Sequence, residues 1–252
     1  MTLTQSLLLF SSAFAGGILN SVAGGGSFIT FPMLMLTGLP PIQANATNTI
    51  ALWPGALASV GAYRRELSVH KRLLPLLIAI SLLGGGIGAG ILLKTSNEKF
   101  AAMVPYLLLI ATLLFIFGGK ITKWIRKETP ESAEPHLGGA LFIHFLIAIY
   151  GGFFGAGIGI LILALLGLMG FHNINEMNAL KTFLSTTVNS IAVVMFVLAG
   201  IVVWPQALIM IGGAVAGGYG GAYYARRLPP EWVRRLVSVV AVMMTVYFFV
   251  RG

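Results

Sequence analysis

Cysteine and aspartate are both missing from this chain of 252 residues, and its seven acidic residues are all glutamate. Without cysteine there is no disulfide, no thiolate metal site and no Cys nucleophile. Without aspartate, an aspartyl intramembrane protease and a Ser-His-Asp hydrolase lack their parts. Glu66, Glu98, Glu128, Glu131, Glu134 and Glu231 read as loop residues, which leaves Glu176 alone near a polar membrane segment. A carboxylate metal site or a ring of carboxylates for cations is therefore unsupported, and no cofactor is implied. Charge of any kind is also scarce. Only 9% of the residues are charged and 57% are hydrophobic, with a mean hydropathy of +0.92. Soluble domains carry about 25% charged residues, so the balance is that of a multi-pass membrane protein.

Apolar runs recur at Leu3–Val22, Leu73–Leu93, Met103–Phe117, Leu141–Leu168, Ile191–Val203, Ala207–Tyr224 and Leu236–Val250. A spanning helix needs about 20 mostly apolar residues, so the predicted fold is all-α with about 8–10 membrane segments. The first run imitates a cleaved leader at Ala13-Phe14-Ala15, but no Lys or Arg precedes it. It is read as a membrane helix. The net charge of +9 sits in short basic clusters between apolar runs. That is the pattern of cytoplasmic loops rather than of a nucleic-acid surface, so nucleic acid is not an expected partner.

The chain repeats itself at an offset of about 130 residues. Ala15-Gly16-Gly17-Ile18 resembles Tyr150-Gly151-Gly152-Phe153, and Gly24-Gly25-Gly26-Ser27 falls on Gly155-Ala156-Gly157-Ile158-Gly159. Asn45-Ala46-Thr47-Asn48-Thr49 falls on Asn178-Ala179-Leu180-Lys181-Thr182, and Gly84–Gly90 falls near Gly212–Gly221. Residues 1–119 and 138–252 thus form two transmembrane repeats, joined by a polar, cytoplasmic linker at 120–137. The loop Arg64–Arg72 holds four Lys or Arg and its counterpart Gly200–Gln206 none, whereas Arg226–Arg235 holds four arginines and Lys94–Lys99 only two lysines. If basic loops stay inside, equivalent loops lie on opposite sides, so the repeats are inverted in topology with both termini outside. Parity then needs an odd number of net crossings per half. The over-long, glycine-interrupted stretches Leu3–Leu36 and Gly138–Leu168 are accordingly expected to be broken or re-entrant.

Consecutive glycines free a membrane segment from helix, and lipid cannot satisfy the N–H groups so exposed. A half-helix starting at Gly24–Ser27 or at Gly155–Gly159 would point its positive end at an anion. For Gly84–Gly88 and Gly212–Gly221, close packing of helices through small residues is the better reading. Pro40 and Pro41 set Asn45, Thr47, Asn48 and Thr49 near the start of a helix. The equivalent stretch carries Asn178, Lys181 and Thr182, and Lys181 is the only Lys or Arg between Lys127 and Arg226. Ionisable residues in membrane segments are costly and mark function. Ser185 and Asn189 follow on the Lys181 face at helical spacing. The Asn45-Ala46-Thr47 glycosylation pattern is accidental in so apolar a context. His144 and Glu176 are the candidate proton carriers, and Trp53, Trp204 and Tyr150 the candidate interfacial anchors.

The order AGGILNSVAGGGSFITFPML, a polar helix start, AYRRE and GGGIGAG resembles the TauE/SafE sulfite exporter family, also called the 4-toluene sulfonate uptake permease family. The second half repeats it as GGFFGAGIGILIL, NALKT and GGAVAGGYGGA, and the resemblance runs from about Leu8 to Val250. It implies a secondary carrier of sulfite, organosulfonates or related oxyanions in the cell inner membrane, and not an enzyme. It also implies that Gly24–Ser27, Gly155–Gly159, Asn45–Thr49 and Asn178–Thr182 form the substrate site. Combined with the repeat, this predicts alternating access around a midplane site. The expected partners are a small anion and the lipid bilayer, with a homodimer as the candidate assembly. The competing readings are an anion channel, or a membrane subunit of a sulfur-relay or other membrane enzyme system.

Overall fold

The computed structural model describes residues 1–22, 25–62, 73–128, 137–224 and 230–251. Ten helices and no strand are found among them: α1 Leu3–Val22, α2 Ser27–Leu36, α3 Pro41–Ala62, α4 Leu74–Lys94, α5 Asn97–Glu128, α6 Leu137–Phe153, α7 Ile158–Leu168, α8 Ile174–Leu198, α9 Trp204–Tyr224 and α10 Pro230–Arg251. An all-helical answer follows from the apolar composition, because a helix satisfies its own backbone groups where lipid offers no partner. Leu3–Asn20, Leu74–Lys94, Asn97–Ile125 and Asn175–Leu198 are long and apolar enough to cross a bilayer. Exposed apolar side chains such as Leu83, Phe142, Leu208 and Val246 face outward from the bundle.

Both over-long apolar stretches are broken where the glycines fall. α2 has 10 residues and α7 has 11, about 15 Å each at 1.5 Å per residue, half of a bilayer core. The first break folds α2 back along α1. A Cβ on Gly16 would stand 2.7 Å from Thr30 Cγ2, and Gln5 Nε2 donates to Thr37 O at 3.5 Å. The pair α1–α2 therefore returns to the level at which it began. Each break also needs a left-handed residue that only glycine adopts readily, Gly25 at φ +96° and Gly157 at φ +78°.

The helices pack in matched pairs across the halves. α1 lies along α9 as α6 lies along α4; α3 packs on α9 as α8 packs on α4; α2 meets α10 as α7 meets α5; and α3 meets α8. The expected small-residue packing is found in both long seams. A Cβ on Gly84 would stand 2.9 Å from Phe145 O, and one on Gly213 would stand 2.5 Å from Phe10 O. One turn on, Gly88 abuts Ile149 O and Gly217 abuts Phe14 O. Side chains there would drive the helices apart.

Part of the expected linker at 120–137 is helical. α5 continues through Glu128, so its first residues are helix, with Lys120 and Lys123 exposed. The basic loop Arg64–Arg72 lies outside the described residues, as do Arg226 and Arg227.

Candidate functional site

In the first half the polar residues close on one another. Asn20 Oδ1 accepts the Gly26 N–H at 3.2 Å. The Thr30 hydroxyl is shared between Gly26 O at 3.0 Å and Asn48 Oδ1, and Asn48 Nδ2 donates to Ser27 Oγ at 3.3 Å. Both ends of the Asn48 amide are thereby held in the first turn of α2. Asn45 Nδ2 reaches across to the second half, donating to Phe153 O at 3.1 Å. That carbonyl ends α6 and would otherwise lack a partner. Thr47 Oγ1 accepts the Val203 N–H at 3.1 Å just before α9, and Thr49 Oγ1 donates to Asn45 O of its own helix at 2.8 Å. Asn45, Thr47 and Asn48 are 2%, 0% and 4% exposed, which leaves no room for a glycan. Gly24 lies outside the described residues.

In the second half the same register is occupied but left open. Lys181 lies against the first turn of α7, where Asn48 lies against the first turn of α2. A Cβ on Gly159 would stand 3.3 Å from Lys181 Cδ. The lysine is half-buried, and its ammonium has no hydrogen-bond or ion-pair partner among the described residues. The side chains of Asn178 and Thr182 likewise make no hydrogen bond among the described residues. Asn189 Oδ1 stands 3.7 Å from the Cβ position of Gly155. Within the break, Tyr150 OH donates to Ala156 O at 2.6 Å. No hydrogen bond joins Lys181 to Asn45 or Asn48, but the two polar helices pack together, and Trp53 Nε1 donates to Ser190 Oγ at 3.0 Å between α3 and α8.

The remaining candidates fall elsewhere. Glu176 accepts from Asn173 Nδ2 at 3.1 Å, while Asn173 Oδ1 accepts the Asn175 N–H at 3.0 Å. This is the capping arrangement of a helix start, and its glutamate also suits the positive end of α8. His144 is fully buried in the α4–α6 seam, with Nε2 2.8 Å from Ser81 Oγ. Trp53 and Tyr150, expected as interfacial anchors, each make a part-buried hydrogen bond, to Ser190 and to Ala156. Thr30 escaped the sequence reading. The available signal was its place one turn beyond Gly26, where its hydroxyl can meet the Gly26 carbonyl. Among the described residues no three His or Glu side chains gather as a metal site would require.

Helices of this length, broken in pairs and apolar outside, make this a multi-pass membrane protein, and comparison with known proteins narrows it to a membrane transporter. The chain belongs to the sulfite exporter TauE/SafE family, whose model matches residues 9–248. It is 30% identical over 239 residues to a "Probable membrane transporter protein" of Haemophilus influenzae, with 94% of this chain and 92% of the relative covered. It is 27% identical to "Probable membrane transporter protein YfcA" of Escherichia coli K12, covering 94% and 87%, and 28% identical to "Probable membrane transporter protein ORF9" of a Sinorhizobium species, covering 94% and 90%. No solved structure matches the chain significantly.

Proposed function

We propose that the protein carries small oxyanions, sulfite or organosulfonates, across the cell inner membrane by alternating access. One observation carries this reading: the ammonium of Lys181, without a partner among the described residues, beside the glycine-rich start of α7. A lone cation in a membrane segment is costly, and an arriving anion would supply its missing partner. Ile158 and Ile160 donate their N–H groups to Gly155 O and Gly157 O; the other N–H groups that open α7, together with Asn178 and Thr182, would add hydrogen bonds to the anion oxygens. The family's description as sulfite exporters agrees with that chemistry.

The hairpin α1–α2 also supports the inverted repeat. If each broken pair returns to its own side, three helices remain to cross in each half. The second half then starts on the side opposite to the first. This puts 129–136 inside and Pro40 outside. The chain has no cysteine, so Pro40→Cys and Asn173→Cys provide single labelling sites in equivalent turns. An impermeant maleimide should reach them from opposite sides of the membrane; labelling from one side would mean parallel repeats.

The transport reading is tested by uptake of radiolabelled sulfite into proteoliposomes. Saturable uptake, competed by sulfonates and abolished in Lys181→Ala, is expected. Unsaturable flux without competition would make the protein a channel, and wild-type uptake in Lys181→Ala would remove the site from the second half.

A further inference from the structure

We propose that Asn189 determines specificity by reading a second polar group on the substrate, away from its anionic head. The inference rests on the reading of Lys181 as the anion's partner. On α8 the Lys181 face continues through Ser185 to Asn189. Ser185 turns its hydroxyl back to its own helix, donating to Lys181 O at 2.7 Å. Asn189 does not: its amide makes no hydrogen bond among the described residues. It is half-buried, with Oδ1 3.7 Å from the Cβ position of Gly155. Lys181 and Asn189 thus flank the same break, one at Gly159 and the other at Gly155. A half-buried amide with no bond among the described residues is available to pair with a ligand in the working state.

The spacing selects the chemistry. Eight residues separate Lys181 from Asn189, about 12 Å along the helix axis. A bare sulfite held by Lys181 and the first turn of α7 does not reach Asn189. The side chains approach the break closer together than that axial spacing, at Gly159 and at Gly155, so an oxyanion whose head sits at Lys181 meets Asn189 through a hydroxyl or amine a few bonds away. The first half has no such device. Its equivalents of Lys181, Ser185 and Asn189 are Asn48, Leu52 and Ala56, and Asn48 is already bonded at both ends. The second polar contact therefore belongs to the α7–α8 side alone, and it favours substituted sulfonates over plain ones.

The test compares 2-hydroxyethanesulfonate with ethanesulfonate, equal in charge and close in size, as competitors of sulfite uptake by the full-length protein in proteoliposomes. Wild type should prefer the hydroxyl compound by about tenfold, the worth of one hydrogen bond made in a water-poor site. Asn189→Ala should lose that preference while its affinity for ethanesulfonate and its maximal sulfite rate stay within about twofold of wild type. Asn189→Thr, which keeps a hydroxyl, should retain part of the preference and serves if the alanine variant does not fold. Equal inhibition by the two compounds in wild type, no inhibition by either, or an unchanged preference in the variants would overturn the role of Asn189 while leaving oxyanion transport intact. If wild type shows no saturable sulfite uptake, it is the transport reading itself that fails.

Discussion

The two breaks in this bundle share a backbone plan and differ in what their side chains leave unpaired. Around Gly25–Ser27, Asn48 bonds Thr30 and Ser27, and Asn20 accepts the Gly26 N–H. Around Gly155–Gly159, Lys181 stands in the Asn48 register, and its ammonium and the amides of Asn178 and Asn189 make no hydrogen bond among the described residues. A buried polar cluster that is fully paired rigidifies its surroundings, whereas one left open must be completed by something else. The first break is tied by its own hydrogen bonds, and on the proposed function the second takes its partner from the substrate.

The largest effect is expected from exchanging the two registers. Lys181→Asn should reduce sulfite uptake by about 100-fold or more, the worth of a buried charge pair. Adding Asn48→Lys to it should not restore transport, because the Asn48 position is enclosed by Thr30 and Ser27. Recovery in the double variant would mean that the halves are interchangeable.

The seams come next, and here the halves should behave alike. Gly88→Ala and Gly217→Ala each force a methyl group against a backbone carbonyl of the facing helix, Ile149 O or Phe14 O. Each should cost about 1–3 kcal/mol of stability, read as a similar fall in melting temperature. A large effect in one alone would break the pairing of α4–α6 with α1–α9. Smaller still, Asn48→Ala should cost about 1–2 kcal/mol by stranding Ser27 and Thr30. The equivalent-turn variant Thr182→Ala, which removes no hydrogen bond among the described residues, should melt within about 0.5 kcal/mol of wild type.

Much of this was readable in the sequence because membrane folding leaves few choices. The run Leu3–Val22 became α1 with those bounds, since a lipid-facing helix must be apolar throughout. The alignment of Asn45–Thr49 with Asn178–Thr182 proved geometric, with position four of each stretch meeting the first turn of a short helix. The sequence did not reveal which polar groups were already paired. Trp53 and Ser190 are far apart along the chain yet share a hydrogen bond, and Asn45 finds its acceptor on the opposite half. Composition places such residues in the membrane, but only the packing of α3 against α8 and α6 says that they are struts. For the same reason Asn45–Thr49 was expected as half of the site with no sign that Asn45 and Asn48 bond to the neighbouring helix ends.

The central claim, that the second break holds the anion and Lys181 is its partner, can be measured without transport. A ligand that binds only the folded state raises its stability by about 2.7 kcal/mol at 100 times its Kd. Purified wild type, Asn48→Ala and Lys181→Ala should be heated with and without saturating sulfite. The account predicts a rise in melting temperature for wild type and for Asn48→Ala, and none for Lys181→Ala. A rise in Lys181→Ala equal to that of wild type would contradict it.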